Sequence, residues 1–94
     1  MAINEVFQAL SDPTRRKILR LLREGDASAG EIADQFSLAR STLSGHFNVL
    51  RNAGLIVSER NGTSIVYSLN VSAAEELMAA VIGLFEGNQK ENES

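Results

Sequence analysis

An Asn-Gly pair between two short apolar runs constrains the fold more than any other feature of the sequence. The runs extend from Leu55 to Arg60 and from Thr63 to Leu69, and Asn61-Gly62 separates them. Asn and Gly readily adopt the positive φ angles that a two-residue type I′ turn requires. The segment is therefore predicted to form a β-hairpin, with Ile65 and every second residue after it on the buried face.

Two predicted helices joined by a short turn precede this hairpin. Ser28 and Glu31 have the spacing of a capping box, which predicts a helix that begins there and continues to Phe36. After a turn of about three residues, a further helix is predicted from Arg40 to Ala53, because Gly54 is a typical helix terminator. Two helices of this length with so short a connection are typical of a helix-turn-helix.

Further helices are predicted on both sides of this unit. Apolar residues between Ile3 and Leu10 recur at helical spacing, and Asp12-Pro13 suits the start of a second helix that ends near Glu24. Ser72 opens another capping-box pattern, followed by apolar residues to about position 86. The predicted fold is mainly α with a small β-hairpin: a winged helix-turn-helix with flanking N- and C-terminal helices.

The chain of 94 residues is predicted to be one DNA-binding domain over residues 1–87, followed by a polar, disordered tail over 88–94. It has no cysteine, so neither disulfides nor thiolate metal sites are expected. No apolar run approaches the length of a membrane span, and the N-terminus lacks the pattern of a signal peptide. We therefore expect a cytoplasmic protein.

The net charge of −3 by itself argues against a nucleic-acid partner, because basic surface supplies most non-specific affinity for DNA. The charges are unevenly placed, however: residues 13–60 have a formal charge of +3 and residues 71–94 one of −4. The middle of the chain thus permits DNA binding. Arg16, Arg20 and Arg23 share one face of the second helix, a pattern more typical of a solvated face than of phosphate contacts.

The outward face of the helix after Ala39 is the leading candidate for a binding site. With Leu43, Phe47 and Leu50 turned inward, short hydroxyl and amide side chains face outward, and these can bind phosphates or base edges. An arginine at the helix start can bind guanine, and a glycine at the centre lets the backbone approach DNA closely. The predicted DNA-binding residues, including the hairpin tip, are Arg40, Ser41, Thr42, Ser44, Gly45, His46, Asn48, Arg60, Asn61 and Gly62.

His46 is the only histidine in the chain. It lacks the partner residues that a zinc site or a catalytic base would need, so we expect it to bind a phosphate or a neighbouring backbone carbonyl. No set of nucleophile, base and orienting group is evident either, and the chain is predicted not to be an enzyme. A winged helix that binds another protein instead of DNA is the alternative left open, and the acidic net charge favours it.

The first and last helices have more apolar residues than a core this small can bury. Such a surplus is typical of an interface between subunits, so we expect a homodimer. A two-fold axis would then present two helix-turn-helix units to a palindromic operator. The predicted dimer interface comprises Ile3, Val6, Phe7, Leu77, Val81, Leu84 and Phe85.

Five segments stand out as motifs: Ser11-Asp12-Pro13-Thr14-Arg15, Gly30-Glu31-Ile32-Ala33, Ser41 to Phe47, Leu50 to Ile56 and Gly62 to Leu69. Together they resemble the ArsR family of bacterial winged-helix repressors, over roughly residues 3–85. The resemblance implies a DNA-binding repressor of transcription that acts as a homodimer. Within the family the chain is most similar to the SdpR-type autorepressors, which makes its own gene one candidate target.

Departures from the family pattern qualify what the resemblance implies. The family often has His at the position of Gly45 and a helix-capping Ser at the position of Ala39. Metal-sensing members have a cysteine pair near the third helix or His and Asp ligands on the last one, and this chain has neither. The resemblance therefore implies no metal and no cofactor, and a signalling protein is the expected inducer.

Overall fold

The computed structural model describes residues 2–86. The predicted fold class is confirmed, since residues 2–86 form five helices and a small three-stranded antiparallel sheet. The predictions for Gly87 and for the tail at 88–94 lie outside the described residues. In chain order the elements are α1 (Ile3–Leu10), α2 (Pro13–Arg23), β1 (Ala27–Ser28), α3 (Ala29–Ala33), α4 (Arg40–Asn52), β2 (Ile56–Asn61), β3 (Ser64–Leu69) and α5 (Val71–Glu86).

The predicted starts of α2 and α3 are confirmed by their side-chain caps. Asp12 accepts hydrogen bonds from the backbone amides of Thr14 (2.7 Å) and Arg15 (3.2 Å). Partial desolvation raises the pKa of Asp12, but these amide hydrogen bonds outweigh it and leave the pKa below its usual value. In the capping box, Glu31 N donates to Ser28 Oγ at 3.1 Å and Ser28 N to the Glu31 carboxylate at 2.8 Å, which lowers the pKa of Glu31.

The predicted extension of α3 to Phe36 is wrong, because the helix ends at Ala33. The backbone amides of Gln35 and Phe36 bond to carbonyls three residues earlier, so the chain leaves the helix through tighter turns. Lys17 stabilises this exit: its Nζ donates to the Gln35 carbonyl at 3.0 Å and lies 4.6 Å from the centre of the Phe36 ring. The connection to α4 is therefore longer than predicted.

The last helix begins two residues earlier than the Ser72 pattern predicts. Asn70 precedes α5, and its Oδ1 accepts from the Ala73 amide at 3.4 Å. The Asn70 Nδ2 also donates to the Gly54 carbonyl at 2.9 Å, which ties the start of α5 to the end of α4. Ser72 already lies inside the helix, so asparagine takes the capping position that serine was predicted to occupy.

The sheet has β3 at its centre, with β1 and β2 antiparallel on either side. Asn61 pairs with Ser64, so the turn consists of Gly62-Thr63 rather than Asn61-Gly62. Gly62 has a φ of +67° and Thr63 has no positive φ, which fits a type II′ turn and corrects the predicted type I′ turn. Arg60 lies opposite Ile65, two residues further along than predicted, so the side chains of β3 keep their predicted faces.

The core lies beneath α4, where the predicted inward residues Leu43, Phe47 and Leu50 are all buried. The rings of Phe47 and Tyr67 stack with centroids 4.4 Å apart, which joins α4 to the sheet. Burial raises the pKa of Tyr67, and the charge of Arg51 opposes that effect. This packing fixes one face of α4 against the protein and leaves the opposite face on the surface.

Candidate nucleic-acid interface

The outward face of α4 is exposed as the sequence predicts. The predicted contact residues on it are exposed, apart from His46, which is half-buried. At Gly45 an added Cβ would meet nothing within 4 Å, so the helix surface is open there. The exposed members are Arg40, Ser41, Thr42, Ser44, Gly45 and Asn48.

Arg40 lies where the start of α4 meets α3 and the tip of the hairpin. Its guanidinium is 4.0 Å from the position that a Cβ on Gly30 would occupy, and it lines a cleft of about 300 Å³ with Thr63 and Ser64. Ala39 provides no side-chain cap, so the first backbone amides of α4 are available to an outside acceptor. A cation next to exposed helix amides is a suitable arrangement for binding phosphate.

Asn48 is exposed but engaged on one side. Its Oδ1 accepts a hydrogen bond from Arg51 Nη2 at 3.0 Å, while Arg51 Nη1 reaches Ser58 Oγ at 3.5 Å. Arg51 therefore connects α4 to β2 and orients Asn48, leaving the Asn48 amide nitrogen as the group that can donate to DNA. The sequence pattern did not single out Arg51, because its contact with β2 depends on the tertiary fold.

His46 contacts an arginine side chain instead of the predicted backbone carbonyl, and its binding to a phosphate stays a prediction. Its Nδ1 lies 3.1 Å from Nη1 of Arg15, a residue in the first turn of α2. Arg15 also donates to the carbonyls of Ala9 (2.9 Å, from Nε) and Gln8 (3.0 Å, from Nη2) at the end of α1. Sequence reasoning missed Arg15 as a site residue, although it stands in one of the motifs that resemble the ArsR family.

The hairpin tip places Arg60, Asn61 and Gly62 on the surface, as predicted. Arg60 is near the end of β2, one residue from the pair that closes the turn. The Arg60 side chain therefore gives the tip of the hairpin a cation that can contact the phosphate backbone of DNA.

Within residues 2–86, no three His, Cys, Asp or Glu side chains come together in a group that could hold a metal ion. In the same part of the chain, no helix is both long and apolar enough to cross a membrane.

The predicted dimer residues fall into three groups. Val6 is fully buried in the core of its own subunit, so its assignment to the interface is wrong. Phe7, Leu84 and Phe85 are exposed, the last by 85%. The remaining predicted residues, Ile3, Leu77 and Val81, are half-buried.

Three exposed large apolar residues of α5, Val71, Met78 and Ile82, were not included in the predicted interface. Met78 is 63% exposed and Ile82 is 47% exposed. They follow one another at a spacing of four residues, and Phe85 comes three residues later, so the three share one face of the helix. We call Met78, Ile82 and Phe85 the α5 stripe.

Comparisons with known proteins agree on one family. A family model described as "Bacterial regulatory protein, arsR family" matches residues 12–58. The transcriptional repressor SdpR of Bacillus subtilis strain 168 is 47% identical over 74 residues, which are 79% of this chain and 82% of that protein. The biofilm growth-associated repressor of Xylella fastidiosa strain 9a5c is 32% identical over 89 residues, covering 95% of this chain and 78% of the repressor.

A solved structure shows the same likeness in three dimensions. The ArsR-like transcriptional regulator from Rhodococcus sp. RHA1 superimposes with a TM-score of 0.81 at 30% identity, over 89% of this chain and 79% of that one. The segment matched by the family model contains all of α2, α3 and α4. The chain therefore belongs to the ArsR family of bacterial regulatory proteins, and it is a winged helix-turn-helix transcriptional regulator rather than an enzyme.

Proposed function

We propose that this protein represses transcription by binding a palindromic DNA operator as a homodimer in the cytoplasm. The observation that supports this most directly is the exposed face of α4, where hydroxyl and amide side chains lie beside Arg40. Relatives of the chain are named transcriptional repressors, which supports repression over activation. Its own promoter is the first DNA to test, because the resemblance is to autorepressors.

In this proposal α4 is the recognition helix and lies in the major groove. Ser41 and Ser44 contact base edges or phosphates, and Arg40 reaches a guanine or the adjacent phosphate. The hairpin is the wing, and Arg60 at its tip follows the phosphate backbone. Phosphate contacts position the protein, while base contacts supply the preference for one sequence.

Two arginine substitutions test this division of roles. Arg40→Ala should weaken operator binding by about 1–3 kcal/mol and relax preference at one base pair. Arg60→Ala should weaken binding to operator and to random DNA alike. It should also lower the slope of log affinity against log salt concentration by about one. Arg16→Ala is the control, since Arg16 is exposed on α2 and its Nη1 donates to Leu10 O at 2.8 Å. Fluorescence anisotropy across a salt series measures all three, and unchanged binding in both test variants would contradict the proposal.

The homodimer is supported by the exposed apolar surface. The α5 stripe lies close to an apolar groove of about 440 Å³, lined by residues of α1, α2, the base of the hairpin and Val71, Ala74 and Leu77 of α5. Large contiguous apolar surfaces are rare on stable monomers. A second copy related by a two-fold axis can cover the same surface on both subunits.

Matched substitutions on α5 test the dimer. Ile82→Asp places a charge in the stripe and should dissociate the dimer, because an unpaired charge is costly to bury. Ala80→Asp is the control: Ala80 is exposed and lies about 160° from Ile82 around the helix, on the side opposite the α5 stripe. Sedimentation equilibrium should show monomers only for Ile82→Asp, with operator binding lost in parallel. A monomeric unmodified protein would contradict the proposal.

A protein-binding module that does not use DNA is the second candidate, and the net charge of −3 favours it. The DNA titrations described above distinguish the two candidates, because a module that binds only protein would not bind operator DNA. Under the DNA-binding proposal, the inducer we propose is a signalling protein that displaces the repressor from DNA.

A further inference from the structure

We infer that Arg15 is a positioning residue that links α1 to the recognition helix and orients His46 for DNA. The inference rests on the proposed function, because it gives the contact between Arg15 and His46 a role in DNA binding by α4. It concerns a residue that lies outside the predicted DNA-binding set and that makes no direct contact with DNA in this proposal.

The guanidinium of Arg15 uses all three of its nitrogens in contacts within the protein. Nε donates to Ala9 O at 2.9 Å and Nη2 to Gln8 O at 3.0 Å, which are carbonyls at the end of α1. Nη1 lies 3.1 Å from His46 Nδ1 on α4. The Arg15 backbone amide in turn donates to Asp12 at 3.2 Å, so the helix cap fixes where this side chain starts. Three elements are thereby joined at one planar group.

The chemistry of the two side chains determines which ring nitrogen of His46 has the proton. A guanidinium has only donors, so Nδ1 must act as the acceptor in this contact. The neutral imidazole then has its proton on Nε2. His46 is half-buried beside exposed Gly45, and its Nε2–H is the group left to donate to an acceptor such as a DNA phosphate oxygen.

The same contact connects the two surfaces that the proposed function requires. Phe7 on α1 belongs to the proposed dimer surface, and Arg15 joins the end of α1 to α4. The distance between two recognition helices must match one turn of DNA. A bond network between α1 and α4 therefore holds the recognition helix at a set position relative to the dimer.

Arg15→Met removes the donors while keeping most of the aliphatic stem. Arg16→Met is the matched control, because Arg16 Nη1 also donates to a carbonyl at the end of α1, Leu10 O at 2.8 Å, without contacting His46. The first measurement is the ¹⁵N resonances of the His46 ring in DNA-free protein at about pH 8.5, well above the ordinary pKa of an imidazole. Sedimentation then compares the oligomeric state of the variants, and fluorescence anisotropy compares their affinity for operator DNA. If Arg15→Met does not fold, Arg15→Lys replaces it, since one ammonium cannot span three acceptors.

We expect Arg15→Met to shift the Nδ1 resonance of His46 away from its hydrogen-bonded position and to weaken operator binding about tenfold, comparable to one charge-assisted hydrogen bond. The dimer should persist, and Arg16→Met should leave both the resonance and the affinity unchanged. In a His46→Ala background the substitution of Arg15 should cost less affinity than it does alone.

Two results would overturn the inference: an unmoved Nδ1 resonance in the Arg15 variant, or additive losses of affinity in the double variant. The resonance is measured without DNA, so it decides the Arg15–His46 contact even if the unmodified protein binds no operator. Failure of the proposed function would instead appear as absent DNA binding by the unmodified protein.

Discussion

Replacing Gly45 with alanine should have opposite effects on folding and on DNA binding. Gly45 lies in the interior of α4, and a Cβ at this position would meet nothing within 4 Å. Glycine in a helix interior is about 1 kcal/mol less favourable than alanine. Gly45→Ala should therefore raise the free energy of unfolding by up to about 1 kcal/mol and the Tm by about 4–8 °C.

On DNA the added methyl group should be harmful, because Gly45 lies at the centre of the face that we place in the major groove. Overfilling a close contact costs about 1–3 kcal/mol, or roughly a five- to 150-fold loss of affinity. Thermal unfolding followed by circular dichroism measures the first effect, and anisotropy with operator DNA measures the second.

Gly83→Ala is the control for Gly45→Ala. Gly83 is exposed within α5, and a Cβ there would also meet nothing within 4 Å. This variant should gain stability and keep its operator affinity. If Gly45→Ala gains stability and binds operator as well as the unmodified protein, then Gly45 does not approach DNA and the docking we propose is refuted.

Other predictions concern the helix caps and the absence of metal regulation. Ala39 has the extended conformation of an N-cap, so Ala39→Ser should stabilise the protein by about 1 kcal/mol in urea unfolding; no gain would contradict the capping argument. The pKa of Glu31 is lower in the folded protein than in the unfolded chain. The contribution of Glu31 to the free energy of unfolding should therefore be complete above its ordinary pKa of 4.5 and lost as the pH falls through the lower folded value. The difference in unfolding free energy between the unmodified protein and Glu31→Gln should accordingly close on acidification, and a difference independent of pH would contradict this. Micromolar zinc, nickel or copper should leave operator affinity unchanged, whereas stoichiometric release of DNA would overturn the prediction.

The starts of α2 and α3 could be predicted because their chemistry is local. Asp12 and Ser28 bond to amides two or three residues away, so short motifs contain the whole interaction. The exposed face of α4 was predictable for a similar reason, since helical periodicity alone separates Leu43 and Phe47 from the residues between them.

Features that depend on distant partners could not be predicted. The choice of Gly62-Thr63 as the turn follows from the pairing of the whole sheet, in which β1 is only two residues long and has no sequence pattern. Arg15 and His46 are 31 residues apart. The periodicity of α1 shows that Val6 and Phe7 are on its apolar side, but only the packing of α1 against the other helices buries Val6 and leaves Phe7 exposed.

The most direct test of the central claim is the selection of binding sites from randomised DNA duplexes, followed by hydroxyl-radical footprinting of the enriched sequence. A two-fold dimer with one recognition helix per subunit should select an inverted repeat with half-site centres about one helical turn, or roughly 34 Å, apart. The footprint should show two equivalent protected half-sites. Enrichment of no sequence, or of a single asymmetric site protected on one side only, would contradict the account of this protein as a dimeric operator-binding repressor.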